Sequence, residues 1–97
     1  DNQPPAVPLV EIDPREGKLY INWLHEDAAD VNQWIVYFQR GKQWDYKILT
    51  ADNEAYALPL VIRSKDGMTP PKVLDTIAVT SVDRLGNESE RINISVR

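Results

Sequence analysis

The residues best suited to catalysis or metal binding lie together in one acidic segment, residues 25–32. His25 is the only histidine of the chain, and it is followed by Glu26, Asp27 and Asp30. A histidine beside carboxylates can act as a general base or a metal ligand, and carboxylate oxygens bind calcium. The segment lacks the alternating Asp/Asn spacing and the glycine of a dedicated calcium loop. We therefore expect a solvated acidic loop that holds no metal and no cofactor.

The sequence lacks the motifs of the common nucleophilic and phosphate-transfer enzymes. It contains no cysteine, no Gly-x-Ser-x-Gly elbow and no Gly-rich phosphate loop. Glycoside hydrolysis needs two carboxylates that face each other across a cleft, at about 5–9.5 Å. A small domain with a packed core offers no evident cleft. We expect a protein that is not an enzyme.

Aromatic side chains form the second candidate site, and their chemistry is stacking. Trp44 and Tyr46 are two residues apart on a predicted strand, so their rings lie on the same face and could stack on pyranose rings. Tyr37 and Tyr20 can add to an exposed aromatic surface. Alternatively, these rings cover an outer face or pack against a neighbouring domain, which we favour because apolar atoms cover much of any protein surface. A single contiguous exposed patch would indicate an interface.

The elements that must position these residues are seven short extended runs, separated by turn residues. Leu19, Ile21 and Trp23 lie on one face of a predicted strand, opposite Tyr20, Asn22 and Leu24, which is the pattern of a half-buried strand. No segment combines helical spacing with helix caps. Turn signals at intervals of about 8–12 residues predict an all-β fold, a seven-stranded antiparallel β-sandwich. The seven runs comprise residues 6–12, 18–24, 33–40, 44–49, 54–58, 76–82 and 91–96.

Residues 59–74 do not follow this rhythm, and they are long for a loop in a compact domain. The apolar residues 60–62 precede Asp66 and Gly67, so an extra small hairpin could form here. The insertion is either a functional loop or a local elaboration, and the sequence leaves both interpretations open.

Length and charge limit the remaining possibilities. The chain has 97 residues and a net charge of −4, which suits one domain and argues against nucleic acid, since phosphates need a basic patch. There is no run of about 18 apolar residues, so no direct membrane insertion is expected. The polar residues 1–5, which include two prolines, are predicted to be an interdomain linker. Residues 6–97 are predicted to be a domain cut from a longer polypeptide.

Three patterns, taken in order along the chain, resemble the bacterial type of fibronectin type III domain. They are Leu19-x-Ile21-x-Trp23, Trp34-x-Val36-x-Phe38 and the stretch from Val79 to Ser89, preceded by Pro4-Pro5. The resemblance implies a core in which Trp23 crosses the centre of the sandwich while Phe38 and Ile77 close around it. The core residues that it implies are Leu19, Ile21, Trp23, Trp34, Val36, Phe38, Ile77 and Val79.

The chain departs from this family at one corner. Members usually carry a tyrosine at the start of the sixth strand, whose hydroxyl pins the preceding corner. Asp75, preceded by Leu74, occupies that position here. We expect the corner to be held in another way.

The stretch from Asp83 to Ser89 is similar to copies of this domain appended to bacterial carbohydrate-active enzymes, in particular the C-terminal domains of glycosyl-hydrolase-like lipoproteins of gut Bacteroidetes. The resemblance implies a non-catalytic spacer or docking module whose partner is a neighbouring domain of the same polypeptide. The parent protein would be extracellular, periplasmic or on the cell surface. The alternative is a carbohydrate-binding module that uses Trp44 and Tyr46 on a polysaccharide.

Residues 84–90 occupy the position where some animal relatives carry an Arg-Gly-Asp adhesion motif, which is absent here. Integrin binding is therefore not expected. Asn87 and Asn93 match the Asn-x-Ser glycosylation pattern, and in a bacterium we expect both to stay unmodified.

Overall fold

Residues 4–96 are described by the structure, a computed structural model, and nearly all of their regular structure is β-strand. The single exception among them is a short 3-10 helix, Ala28–Asp30. All strand pairs are antiparallel, which confirms the predicted all-β class. Residues 1–3 of the predicted linker and residue 97 lie outside the described residues. The strands are β1 Leu9–Arg15, β2 Lys18–Leu24, β3 Val31–Arg40, β4 Gln43–Thr50, β5 Ala55–Pro59, β6 Val61–Ile62, β7 Lys72–Asp83 and β8 Ile94–Ser95.

Two sheets form a β-sandwich-like arrangement around one core. The first has the order β1-β2-β5, and the second has the order β4-β3-β7-β6, with β8 also paired to β7. The prediction of seven strands is wrong by one, because β6 lies within the 59–74 insertion. Val61 pairs with Val73 and Ile62 with Lys72. The insertion therefore contains the start of a small hairpin, whose second strand is the beginning of β7.

The first strand differs from its predicted bounds because of its turn. The predicted run was residues 6–12, whereas β1 starts after Pro8 and pairs with β2 as far as Arg15 opposite Lys18. Only Glu16 and Gly17 remain for the turn, with φ angles of 54° and 78°. Two consecutive residues with positive φ form the type of turn that best matches the twist of a hairpin.

The alternation of side chains on β2, β3 and β7 builds the core. Leu19, Ile21 and Trp23 point inward from β2 and are buried. Trp23 and Trp34 meet across the two sheets, with ring centroids 5.8 Å apart. Tilted aromatic pairs contribute about 0.5–1.5 kcal/mol beyond the area that they bury. Seven of the eight core residues implied by the resemblance are buried in one hydrophobic cluster, and the eighth, Phe38, is half-buried against it. The cluster also contains Val31, Leu58 and Leu74.

The corner before the main part of β7 is held by the inserted hairpin. Leu74 is buried, and its N–H donates to the carbonyl of Leu60 at 2.9 Å. The carboxylate of Asp75 accepts a hydrogen bond from the N–H of Gly41 at 3.2 Å. A buried leucine and two hydrogen bonds, one to the inserted hairpin and one to the turn between β3 and β4, hold this corner.

The two loops that flank β7 are both organised by an aspartate. Asp66 accepts hydrogen bonds from the N–H groups of Met68 and Thr69, at 2.9 and 3.0 Å. Asp83 accepts from the N–H groups of Leu85 and Asn87, at 3.0 and 2.9 Å. Because these bonds favour the charged form, they lower the pKa of both carboxyl groups.

The last strand is shorter than the predicted run 91–96. Glu88 bridges Val82, and the N–H of Ser89 donates to the carbonyl of Ser81 at 2.8 Å. The N–H of Ser81 donates to the Ser89 hydroxyl at 3.1 Å rather than to a backbone carbonyl. The backbone ladder is therefore interrupted at this point, and regular pairing resumes only where Ile94 faces Ile77.

Truncating the core should be costly. Ile77→Ala is expected to lower the free energy of unfolding by about 2–5 kcal/mol, because the Ile77 side chain is fully buried between the sheets. Ile92→Ala is the matched control, since Ile92 is 46% exposed and should cost less than about 0.5 kcal/mol. Urea denaturation of both variants measures the difference. Equal losses would contradict this placement of the core.

The Asp83 turn should make stability depend on acid pH. The pKa of Asp83 is lowered in the folded chain, so the stability that its carboxylate contributes is complete well above its unfolded pKa of about 4 and is lost as the pH falls towards the lower folded pKa. Asp83→Asn should therefore be less stable than the wild type at pH 7, and the difference should shrink below about pH 4. Thermal unfolding from pH 7 downward measures this. Glu90→Gln, which removes an exposed charge away from the turn, should show no such convergence.

Candidate functional site

The aromatic face, defined as Tyr37, Trp44 and Tyr46 together with Arg91, lies on the outer side of the second sheet. Its position follows from the alternation of β3, which turns Trp34, Val36 and Phe38 toward the core and Tyr37 away from it. Tyr46 is the cross-strand partner of Tyr37, and Trp44 is the partner of Gln39. Directly opposed residues of an antiparallel pair lie on the same side of the sheet. The structure therefore brings together three of the four aromatic residues singled out from the sequence.

Close ring contacts hold this face together. The ring centroids of Tyr37 and Tyr46 are 6.3 Å apart. The guanidinium of Arg91 lies 4.0 Å from the ring centre of Tyr37 and 4.3 Å from that of Trp44. Cation–π contacts of this length stabilise exposed sites by about 0.5–1 kcal/mol. Arg91 thus links two rings that come from adjacent strands.

Glu88 fixes the position of the Tyr37 hydroxyl in the aromatic face. Its Oε2 atom accepts hydrogen bonds from the Tyr37 hydroxyl and from the Thr80 hydroxyl, both at 2.6 Å. Burial, together with the bond to Glu88, raises the pKa of Tyr37, so the phenol remains a neutral donor at neutral pH. Thr80 is fully buried. Tyr37 is therefore held at both its ring and its hydroxyl.

The outward part of the face is apolar and open. Tyr46 is 63% exposed and Trp44 is 37% exposed. Ile48, the next residue on the same side of β4, is 47% exposed. Exposed aromatic and aliphatic side chains on one strand give a continuous patch, which is a mark of interaction sites.

Two residues of this site, Glu88 and Arg91, were missed from the sequence. Both lie on the chain that follows the β7 turn, where no regular strand is formed. Alternation gives no usable signal here, because even-numbered Glu88 and odd-numbered Arg91 both contact Tyr37, and the rings that Arg91 contacts lie on strands far away in sequence.

Tyr20 lies elsewhere in the structure. It is on β2, on the outer side of the first sheet, where it faces Asp13 and Ala57 on the neighbouring strands. The guanidinium of Arg15 covers its ring at 4.4 Å. The two outer faces are on opposite sides of the molecule, so Tyr20 does not belong to the aromatic face.

The acidic loop forms a polar end of the molecule in which His25 is engaged on both ring nitrogens. Nε2 donates to the carbonyl of Ala6 at 2.8 Å, and Nδ1 accepts from the N–H of Asp27 at 2.9 Å. These partners assign a neutral ring with its proton on Nε2. The ring also meets Trp34 edge-on, with centroids 5.7 Å apart. His25 therefore ties the N-terminal segment to the loop.

The carboxylates of this loop are close to each other and to a surface cavity of about 410 Å³. A hydrogen bond with Asp30, and the negative charge of that residue, raise the pKa of Asp27. Within residues 4–96, no group of three or more His, Cys, Asp or Glu side chains is placed to hold a metal ion. Over the same range, no helix is long and apolar enough to cross a membrane.

No model of a known protein family matches the chain, and no curated protein matches it either. What the aromatic face does must therefore be inferred from its geometry.

Removing the Arg91 guanidinium should expose Trp44. Trp23 and Trp34 are each only 3% exposed, so quenching of tryptophan fluorescence by acrylamide reports mainly on Trp44. Arg91→Ala should increase the quenching constant while costing only about 0.5–1 kcal/mol of stability. Arg91→Lys keeps the charge but not the planar stack and should lie between wild type and Arg91→Ala.

Arg84→Ala is the matched control for this measurement, since Arg84 is exposed and lies in the β7 turn. Its quenching should equal that of the wild type. Unchanged quenching in Arg91→Ala would mean that the guanidinium does not cover Trp44 in solution.

Proposed function

We propose that this chain is a fibronectin type III domain that acts as a non-catalytic docking module, and that its aromatic face packs against a neighbouring domain of the same polypeptide. The observation that carries the proposal is the contiguous patch of Tyr37, Trp44 and Tyr46, held in place by Arg91. Tyrosine, tryptophan and arginine are the side chains most enriched at interfaces.

The sheet order supports the family part of this proposal. Leaving out the inserted β6, the first, second and fifth strands form one sheet and the remaining four form the other. This is a two-sheet antiparallel sandwich of the kind that fibronectin type III domains share with immunoglobulin domains. The motif residues Trp23 and Trp34, on which the resemblance depends, meet at the centre of the core.

Arg91 favours a protein partner over a sugar. A pyranose stacks on the open face of an aromatic ring, but the guanidinium lies over both Tyr37 and Trp44 at close to 4 Å. A sugar would have to displace this cation before it could stack on either ring. Exposed apolar side chains with an arginine fixed beside them are instead suited to packing against another protein surface, and contacts between domains of one chain typically bury about 600–1,500 Å².

The second candidate, a carbohydrate-binding module, rests on Tyr46. This ring is 63% exposed, and the structure shows no cation over it among residues 4–96. A sugar could stack on Tyr46 and reach the uncovered edge of Trp44, which is its neighbour on β4.

The non-catalytic part of the proposal is supported by the state of the only histidine. Both ring nitrogens of His25 are used to connect the N-terminal segment with the acidic loop. A general base needs a free lone pair within reach of the proton that it removes. His25 therefore acts as a structural residue.

The setting of the module is proposed from the resemblance alone. The parent polypeptide would be a secreted or surface-anchored bacterial protein, such as a glycosyl-hydrolase-like lipoprotein, that acts on carbohydrate. In that setting, the module holds the catalytic domain at a fixed distance and orientation.

Introducing charge on the aromatic face should loosen the interdomain contact. In the parent polypeptide, Tyr46→Asp is expected to increase the maximum dimension measured by small-angle X-ray scattering, because a buried unpaired carboxylate disfavours docking. Asn22→Asp, an exposed position on the outer side of the other sheet, is the matched control and should leave the dimension unchanged. Identical scattering from both variants and the wild type would refute docking through this face.

A glycan titration separates the two candidate functions. Tryptophan fluorescence of the isolated chain, titrated with soluble host and plant polysaccharides, should stay flat. A saturable change that is lost in Trp44→Ala and retained in Asn22→Asp would replace the docking proposal with the carbohydrate-binding one.

A further inference from the structure

Strand β4 is a long edge of the second sheet, and among proline, bulges, shortness and charge only charge protects it, through Asp45 and Lys47. It is the terminal strand in the sheet order, it has eight residues, and all of them are exposed except for the half-buried Leu49. Its register with β3 is continuous over its whole length, so no bulge twists the edge away. Natural proteins protect such edges with proline, bulges, shortness or charged side chains. Here β1 contains Pro14, β5 ends at Pro59, and β6 and β8 have two residues each.

The turn before β4 determines which backbone groups face outward. Gly41 and Lys42 form a two-residue turn between the paired residues Arg40 and Gln43, with a φ angle of 62° at Gly41. The residues that flank a two-residue hairpin turn form a hydrogen-bonded pair. Since bonded and non-bonded pairs alternate along an antiparallel ladder, the N–H and C=O groups of Trp44, Tyr46 and Ile48 point away from β3.

The end of the strand agrees with this assignment. Thr50 has the same parity as Trp44, so its carbonyl should also point away from β3. That carbonyl accepts a hydrogen bond from the N–H of Asn53 at 3.1 Å, outside the ladder with β3. The free edge between Trp44 and Ile48 thus presents three N–H and three C=O groups to a further strand.

Two copies of the β4 sequence are complementary when they pair antiparallel with Tyr46 opposite Tyr46. In that register, Asp45 of each copy lies opposite Lys47 of the other, and Trp44 lies opposite Ile48. Shifting the centre by one residue in either direction would place Asp45 opposite Asp45 or Lys47 opposite Lys47. Like charges directly opposite each other are destabilising. Centring the pair between two residues would shift the register by one residue, and the side chains of the second copy would then lie on the opposite face of the sheet. Among these registers, charge therefore favours the one centred on Tyr46, which also forms two Asp45–Lys47 pairs.

We propose that β4 binds the β4 strand of a second copy of this chain, antiparallel and centred on Tyr46, so that the two second sheets become one continuous sheet. The contact uses the backbone edge and the Asp45 and Lys47 side chains. It also places the outward Trp44, Tyr46 and Ile48 side chains of the two copies next to each other at the seam, but it does not rest on the function proposed for the aromatic face.

The hydrogen-bond pattern of this pairing suits the side chains. Tyr46 would form a hydrogen-bonded pair with Tyr46 of the second copy. The pairs of Asp45 with Lys47 on either side would then be non-hydrogen-bonded pairs. Side chains come closest in non-bonded pairs, where Cα atoms are about 4.5 Å apart. Neither Asp45 nor Lys47 forms an ion pair within residues 4–96, where the structure shows only the pair Arg15–Asp13. The charge of Asp45 also acts on Arg40, and the Asp45 and Lys47 side chains are both exposed, so a second copy can reach them.

Sedimentation velocity of the wild-type chain from about 1 μM to about 500 μM tests the proposal, since weak specific pairs dissociate in this range. The expected result is a concentration-dependent rise toward twice the monomer mass of 11.1 kDa. A monomer at every concentration would overturn the proposal.

Charge exchange tests the register. Asp45→Lys and Lys47→Asp should each weaken self-association by about tenfold or more, because each variant then faces its own charge. Mixing the two variants in equal amounts should restore association to within about threefold of the wild type, since opposite charges again face each other in both pairs. A dimer that is unaffected by the single variants, or that is not restored by mixing, would show that the copies meet through another surface.

A backbone variant tests the edge itself and is not expected to prevent folding. Because the N–H of Tyr46 points outward, Tyr46→Pro removes no hydrogen bond of the monomer, and edge strands tolerate proline there. Tyr46→Pro should abolish dimerisation, whereas Tyr46→Thr, which keeps the N–H, should retain it. Circular dichroism confirms that both variants fold. Equal dimerisation of the two folded variants would exclude pairing through the β4 edge.

Discussion

The alternation of β3 is the constraint on which the rest of this structure depends. This strand lies between β4 and β7, so its two faces have opposite roles. Trp34 and Val36 fill the core from one face, while Tyr37 supports the aromatic face from the other. A shift of the register by one residue would exchange the two sets of side chains. The core and the candidate site therefore both depend on the register of the same ten residues.

The aromatic face depends on contacts that are distant in sequence. Arg91 and Glu88 contact Tyr37 from the segment that follows the β7 turn. Hydrogen bonds to the Asp83 carboxylate stabilise that turn. Each contact is individually weak at an exposed site. Together they restrict the Tyr37 and Trp44 rings before any partner arrives, and such restriction lowers the entropic cost of binding.

The sequence carried enough information to predict the strands but not their exact ends or the site as a whole. Period-two alternation identified β2, because burial of one face requires it. The extra strand β6 was only suggested, since two residues are too few to show a period. Trp44 and Tyr46 share a face by spacing alone, and Tyr37 joins them because hairpin register follows from the turn. Arg91 could not be predicted, because its contacts depend on where an irregular segment crosses the sheet. Tyr20 shares the residue type of the site but belongs to the other sheet, a distinction that only the sheet order provides.

The central claim is that the aromatic face is covered by a neighbouring domain, and hydroxyl-radical footprinting of side chains tests it most directly. The oxidation rates of Trp44 and Tyr46 would be compared between the isolated chain and the parent polypeptide, with Tyr20 as the internal reference. If a neighbouring domain covers the face, Trp44 and Tyr46 should be oxidised more slowly in the parent polypeptide than in the isolated chain, and the oxidation rate of Tyr20 should be unchanged. Equal rates for all three residues in the two proteins would contradict the claim.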